Sequence, residues 1–168
     1  AASEHPFYDD GDILVSIGST SLPENSRIEA GFKICDLNAK ANLAKVIDSK
    51  IESYSQSSEE GTDFSGLDLR SITSEAAKIS STGMKPGKRH WEKVAVTDAQ
   101  GIPHLEYRFW SEVRISKDDY KRALVRAAQS TQGKSTLSQK FANQVNDHFD
   151  KIIGNTETDE RKPTNENE

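Results

Sequence analysis

HLEYRFWSEVRI, residues 104–115, alternates along its whole length. Leu105, Tyr107, Phe109, Val113 and Ile115 share one parity, interrupted only by Ser111. His104, Glu106, Arg108, Glu112 and Arg114 share the other, with Trp110 among them. Period-two alternation marks a strand with one apolar face and one wet face. A long strand of this kind needs a cover on its apolar side, so the stretch predicts an antiparallel sheet roofed by helix on one face.

Working outward, HWEKVAV (90–96) reads as a second strand joined to the first through the turn DAQG (98–101). The two form a hairpin, with Pro103 at a strand start, where proline is tolerated. Upstream, Ile13–Ile17 is a short apolar strand ending at Gly18, and SLPENS (21–26) is a turn with Ser26 as a candidate helix cap. From Arg27 to about Ser55 the spacing is helical. One apolar line runs Ile28, Phe32, Cys35, Ala39, Leu43, Val46, and a second runs Ala30, Ile34, Leu37, Ala41, Ala44. A helix lying on a sheet needs one line. The second is expected to meet another helix of the chain or another copy of it.

Ser55–Gly66 reads as a polar loop with little to bury, and Ser71–Ser81 as a weak helix with Ile72, Ala76 and Ile79 on one side. Gly83–Gly87 closes that segment. Ser116 with Asp118 and Asp119 is a helix start. Tyr120, Leu124, Ala127 and Ala128 mark a face; QGKST interrupts; Leu137, Phe141, Val145, Phe149 and Ile152 resume the spacing. The order is strand, long helix, weak helix, β-hairpin, C-terminal helix. The fold class is α+β, a small antiparallel sheet with helices packed on one face. Residues 1–11 are expected as an extended lead-in, 12–153 as a single domain, and 154–168 as a disordered tail without apolar residues. Three strands make a minimal sheet, so its edges are expected to pair with a second chain or with the lead-in.

Composition narrows the classes of function. The chain has 168 residues, is 33% hydrophobic and carries a formal charge of -5 with acids and bases well mixed. No basic footprint for nucleic acid and no membrane-spanning run is present. Cys35 is the one cysteine, which excludes an internal disulfide and a cysteine-based zinc site. The opening AASEHPF, without methionine, fits a mature form after signal-peptide removal and equally a trimmed chain.

Three chemical motifs bear on function. AQSTQGKS (128–135) has phosphate-loop spacing, with Lys134 to hold the charge, but a helical pattern precedes it where an apolar strand is required. His90 and His104, with Glu92 or Glu106, could meet across the hairpin as metal ligands, and with Glu106 they are the members of an alternative pocket between sheet and first helix, serving a small-ligand binder or enzyme. No serine sits in a nucleophile-elbow sequence. No catalytic, cofactor or metal residue is assigned. The wet face of the long strand reads either as solvated cross-strand ion pairs or as a contact surface in which Trp110 is an anchor flanked by Arg108, Glu112 and Arg114. Ile34 and Leu37 on the second helical line complete the expected interface.

The order of features resembles the small bacterial envelope lipoproteins that include the Helicobacter surface lipoprotein and flagellar outer-membrane lipoproteins. The resemblance rests on Ile17, Gly18 and Ser19 at a strand end, on Ala39, Ala41, Leu43 and Ala44 in the helix, and on Trp91, Tyr107, Phe109, Val113 and Ile115 in the aromatic strands. It spans about residues 12–125. It implies an exported, non-enzymatic domain of the periplasm or the inner side of the outer membrane. Such a domain works by assembly with envelope proteins and with itself, often in a flagellar or envelope ring. Membrane contact is expected only through a lipidated cysteine outside this chain.

Overall fold

The computed structural model describes residues 7–57, 64, 66–133 and 135–154. Strands β1 (Phe7–Asp10) and β2 (Ile13–Pro23) precede helix α1 (Ile28–Ser57) and helix α2 (Leu69–Ser80), which ends in a 3-10 turn over Ser81–Gly83. Strands β3 (Lys85–Thr97) and β4 (Pro103–Ser116) form the hairpin, and helices α3 (Lys117–Gln132) and α4 (Thr136–Gly154) close the chain. The sheet has four strands in the order β1-β2-β4-β3, with every pairing antiparallel. The α+β fold with helices on one face of a small antiparallel sheet is thus present. Its fourth strand comes from the lead-in, because Phe7–Asp10 pairs with Ile13–Ser16.

The alternation of β4 carries through to burial. Phe109, Ser111, Val113 and Ile115 are buried, and the residues between them are half-buried. The buried parity faces α1. Gly18 lies opposite Ser111 in mid-strand, and β2 runs on to Pro23. Gly18 is therefore not a strand end. It is the point of closest approach: a methyl group there would overlap the Cys35 carbonyl and crowd the Ala39 amide. Gly31 does the same from the helix side, seating the Phe109 ring where a side chain would stand. Ser16 Oγ donates to the Ala39 carbonyl at 2.7 Å, and Ser111 Oγ donates to Asp36 Oδ1 at 2.7 Å. The two serines on the apolar parity are thus satisfied by the helix that covers them.

The buried stripe of α1 is Gly31, Cys35, Ala39, Leu43, Ile47, Ile51. It continues past the expected Val46 line through Ile47, Ile51 and Tyr54. There α1 leaves the sheet and joins α2, α3 and α4 around one core that includes Ile72, Tyr120, Leu124, Phe141, Val145 and Ile152. Phe64, expected in a polar loop, is buried in this core with its ring edge-on to Phe141 at 5.3 Å. The expected single C-terminal helix is two. α3 starts on the Ser116 cap, whose Oγ accepts from the Asp119 N–H at 3.1 Å, and stops at Gly133, whose φ of 67° breaks the helix. Lys50, buried on α1, donates to the Ile153 carbonyl at 2.9 Å and so ties the last turn of α4 to the core. No helix among the described residues is long and apolar enough to cross a membrane.

Candidate interaction surface

Three surfaces follow from this architecture. The first is the outer face of the sheet, which carries the alternate parity of β4. Here the expected contact residues are largely engaged within the chain. Arg114 Nη2 reaches Asp10 Oδ2 of β1 at 2.9 Å. Glu112 accepts from the Tyr8 hydroxyl at 3.1 Å through Oε1 and from the Lys88 backbone N–H at 3.1 Å through Oε2. Burial together with the Glu112 carboxylate pushes the Tyr8 phenol above its ordinary range. These side chains bridge from β1 to β4 across β2, and Val15, in register between Tyr8 and Arg114, is fully buried beneath them. Arg108 pairs with Glu106 at 3.2 Å. Trp110 is half-buried and stacks on His90, with ring centroids 5.5 Å apart. These pairings fit the reading of this face as cross-strand ion pairs.

The second surface is the far half of the hairpin on the helix side. α1 begins only at Ile28, with Phe32 edge-on to Phe109 at 5.4 Å. Beyond that row the sheet continues without a roof. Trp91, Lys93 and Ala95 on β3 lie in register with Phe109, Tyr107 and Leu105 on β4. Trp91 is 42% exposed and Leu105 38%, and Ile102 beside the turn is 60% exposed. Trp91 stands edge-on to Tyr107 at 5.6 Å, and the Lys93 ammonium lies over the Tyr107 ring at 5.6 Å while pairing with Glu24 at 3.1 Å. A hollow of about 700 Å³ opens beside Leu105, lined by Pro23, Glu24, Asn25, His104, Leu105 and Glu106. β3 is also an edge strand, exposed over nearly its whole length. Its basic residues Lys85, Lys88, Arg89 and Lys93 discourage a second β3 from pairing along it.

The third surface is the trough where α1 runs beside α2. Of the second helical line, Leu37 is 60% exposed and lines this trough with Ala41 and Ala44. Ile34 is half-buried and lies outside its lining. The six residues expected in one interface therefore divide between the outer face of the sheet and the helical side.

Of the alternative pocket residues, His104 and Glu106 share the hollow beside Leu105, and His90 does not join them. His90 stands opposite Trp110 and His104 opposite Val96, so the two histidines are about 20 Å apart along the strands. Glu92 faces Arg108, and Glu106 faces Val94. No group of three or more His, Cys, Asp or Glu residues able to hold a metal ion occurs among the described residues. Between sheet and α1 the glycine contacts leave close packing where a pocket was considered. The phosphate-loop spacing begins inside α3, a helix where a strand is required, and Lys134 lies outside the described residues. A polar hollow of about 480 Å³ between α3 and α4 is lined by Asp118, Lys121, Asp147, His148 and Asp150 among others, with Lys117 paired to Asp9 at 2.7 Å.

Trp91 is the functional candidate that sequence reading left open. Its parity with Arg89 and Lys93 hid the fact that it shares a face with Tyr107 and Leu105. The missing signal was the register of the hairpin. The chain matches no family model, no curated protein and no solved structure.

Proposed function

We propose that this chain is a non-enzymatic assembly domain of the bacterial cell envelope, joining copies of itself and neighbouring envelope proteins through the unroofed half of its hairpin. The carrying observation is the group of Trp91, Leu105 and Ile102, exposed on and beside the helix-side face of a sheet that is otherwise covered. Large apolar side chains left together on a surface mark sites of association. An aromatic with a cation over its neighbour has the composition of an interface anchor. The open hollow beside Leu105 offers a socket for an apolar side chain of a partner. The resemblance to envelope lipoproteins supports the compartment and the assembly role. Because the basic residues along β3 discourage a β3–β3 dimer, a head-to-tail contact is favoured, and head-to-tail contacts that close make rings.

Trp91 reports on this directly. In a Trp110→Phe protein it is the one remaining tryptophan. Acrylamide is expected to quench its fluorescence strongly in dilute solution and weakly at high protein concentration. Equal quenching at every concentration would remove the hairpin from any self-assembly.

A further inference from the structure

We infer that the trough between α1 and α2 is a docking site for an acidic amphipathic helix of a partner protein. The argument is independent of the hairpin, since the trough lies on the helical side of the molecule. It has a volume of about 760 Å³ and an apolar floor made by Leu37, Ala41, Ala44 and Ala77. Three of these four are alanine. Small residues let a third helix approach two others closely, and the exposed Leu37 supplies a knob at one end.

The length fits a helix. Leu37 to Asp48 on α1 and Arg70 to Ser81 on α2 each span about 16 Å at the helical rise, or three turns. The two helices run antiparallel: Leu69 and Arg70 at the start of α2 lie by Glu52, Ser55 and Gln56 late in α1, and Ala77 and Lys78 at its end share the trough that reaches back to Leu37. A docked helix presenting apolar residues at i, i+3, i+4 and i+7 covers this span.

The charge selects the occupant. Lys40 and Lys45 stand on the α1 rim, and Arg70 and Lys78 on the α2 rim. Lys40, Lys45 and Arg70 make no salt bridge among the described residues, and Lys78 reaches Glu75 only at 3.8 Å. Asp48 is the one acid in the lining, against the four cations Lys40, Lys45, Arg70 and Lys78. A chain of formal charge -5 has thus gathered cations around one apolar trough. Glutamates and aspartates flanking the apolar stripe of a partner helix would meet them on both sides. A second copy docking trough to trough would set lysine against lysine and arginine. The chain's own residues 155–168 are acidic but hold no apolar side chain to fill the floor.

The test uses the full chain and a fluorescein-labelled 15-residue peptide with leucines at helical spacing and glutamates on both flanks. A second peptide replaces each glutamate with lysine. Fluorescence anisotropy is expected to show saturable binding of the acidic peptide and at least tenfold weaker binding of the basic one. Lys40→Glu with Lys45→Glu should weaken the acidic peptide at least tenfold, and Ala41→Trp should do the same by filling the floor. These positions lie at the surface, and an unchanged circular dichroism melt will show that each variant folds. Equal affinity for both peptides, no saturable binding, or binding untouched by the variants would overturn the inference. So would vesicles of phosphatidylcholine and phosphatidylglycerol that bind the parent chain and lose the Lys40→Glu/Lys45→Glu variant while the peptide is ignored, because the trough would then read an anionic lipid surface.

Discussion

Gly18 carries more of this fold than any large residue near it. The backbone of α1 comes down onto β2 at that position, and any Cβ meets main-chain atoms that no rotamer change can move. Gly18→Ala is expected to cost more than about 2 kcal/mol, read as a lower urea midpoint at constant slope. An unchanged midpoint would show that helix and sheet are not packed as closely as described. Cys35 sits in the same contact. Its thiol is pushed up to about 11, first by burial and then by the neighbouring Asp36 carboxylate. The folded state therefore favours the protonated thiol. Its contribution is complete below the ordinary value of 9.0 and is lost as pH rises toward 11. At pH 8 the native chain should react with a disulfide reagent orders of magnitude more slowly than the urea-unfolded chain. Comparable rates would mean that the thiol is open. Sequence named Gly18 and Cys35 but read the first as a strand end, because a glycine after an apolar run signals a break unless the partner surface is known.

At the scale of the element, β4 was legible and α1 only half so. Alternation is a local signal, and the structure buries Phe109, Val113 and Ile115 as that signal required, but leaves Tyr107 half-buried and Leu105 exposed on the same parity. The stripe of α1 has steps of four, each advancing about 40° past a full turn. Over its length it winds from the sheet to the helical bundle, so one straight line of residues cannot describe it. Ile47, Ile51 and Tyr54 were missed for that reason. β3 was read too short because Pro86 and Gly87 look like breakers, whereas they open a bulge between Pro86 and Arg89 in a strand that starts at Lys85. The wet face of β4 was legible as charges but not as partners, since Asp10 and Tyr8 come from a strand the sequence did not mark. Exposed pairs of this kind are worth little. Arg114→Ala is expected to cost under about 1 kcal/mol of stability and to leave association unchanged, measured by urea unfolding and sedimentation together. A loss of association would return the contact role to that face.

For the whole molecule, the sheet outruns its helical roof. α1 covers β4 up to Phe109; Trp91, beside Phe109 on the edge strand, stays exposed, and beyond that row the hairpin carries Tyr107 and Leu105 on the same side. That mismatch of lengths is a property of the assembled layers, and no single segment records it. It leaves large apolar side chains exposed at one end of the sheet. We propose that this end of the sheet joins one copy to the next. The measurement that bears on it most directly is sedimentation velocity over a wide concentration range for the parent chain, Leu105→Glu and Arg108→Ala. A concentration-dependent oligomer is expected for the parent and for Arg108→Ala, and a monomer throughout for Leu105→Glu. An oligomer that survives Leu105→Glu and dissolves in Arg108→Ala, or a parent chain that stays monomeric at every concentration, would contradict it.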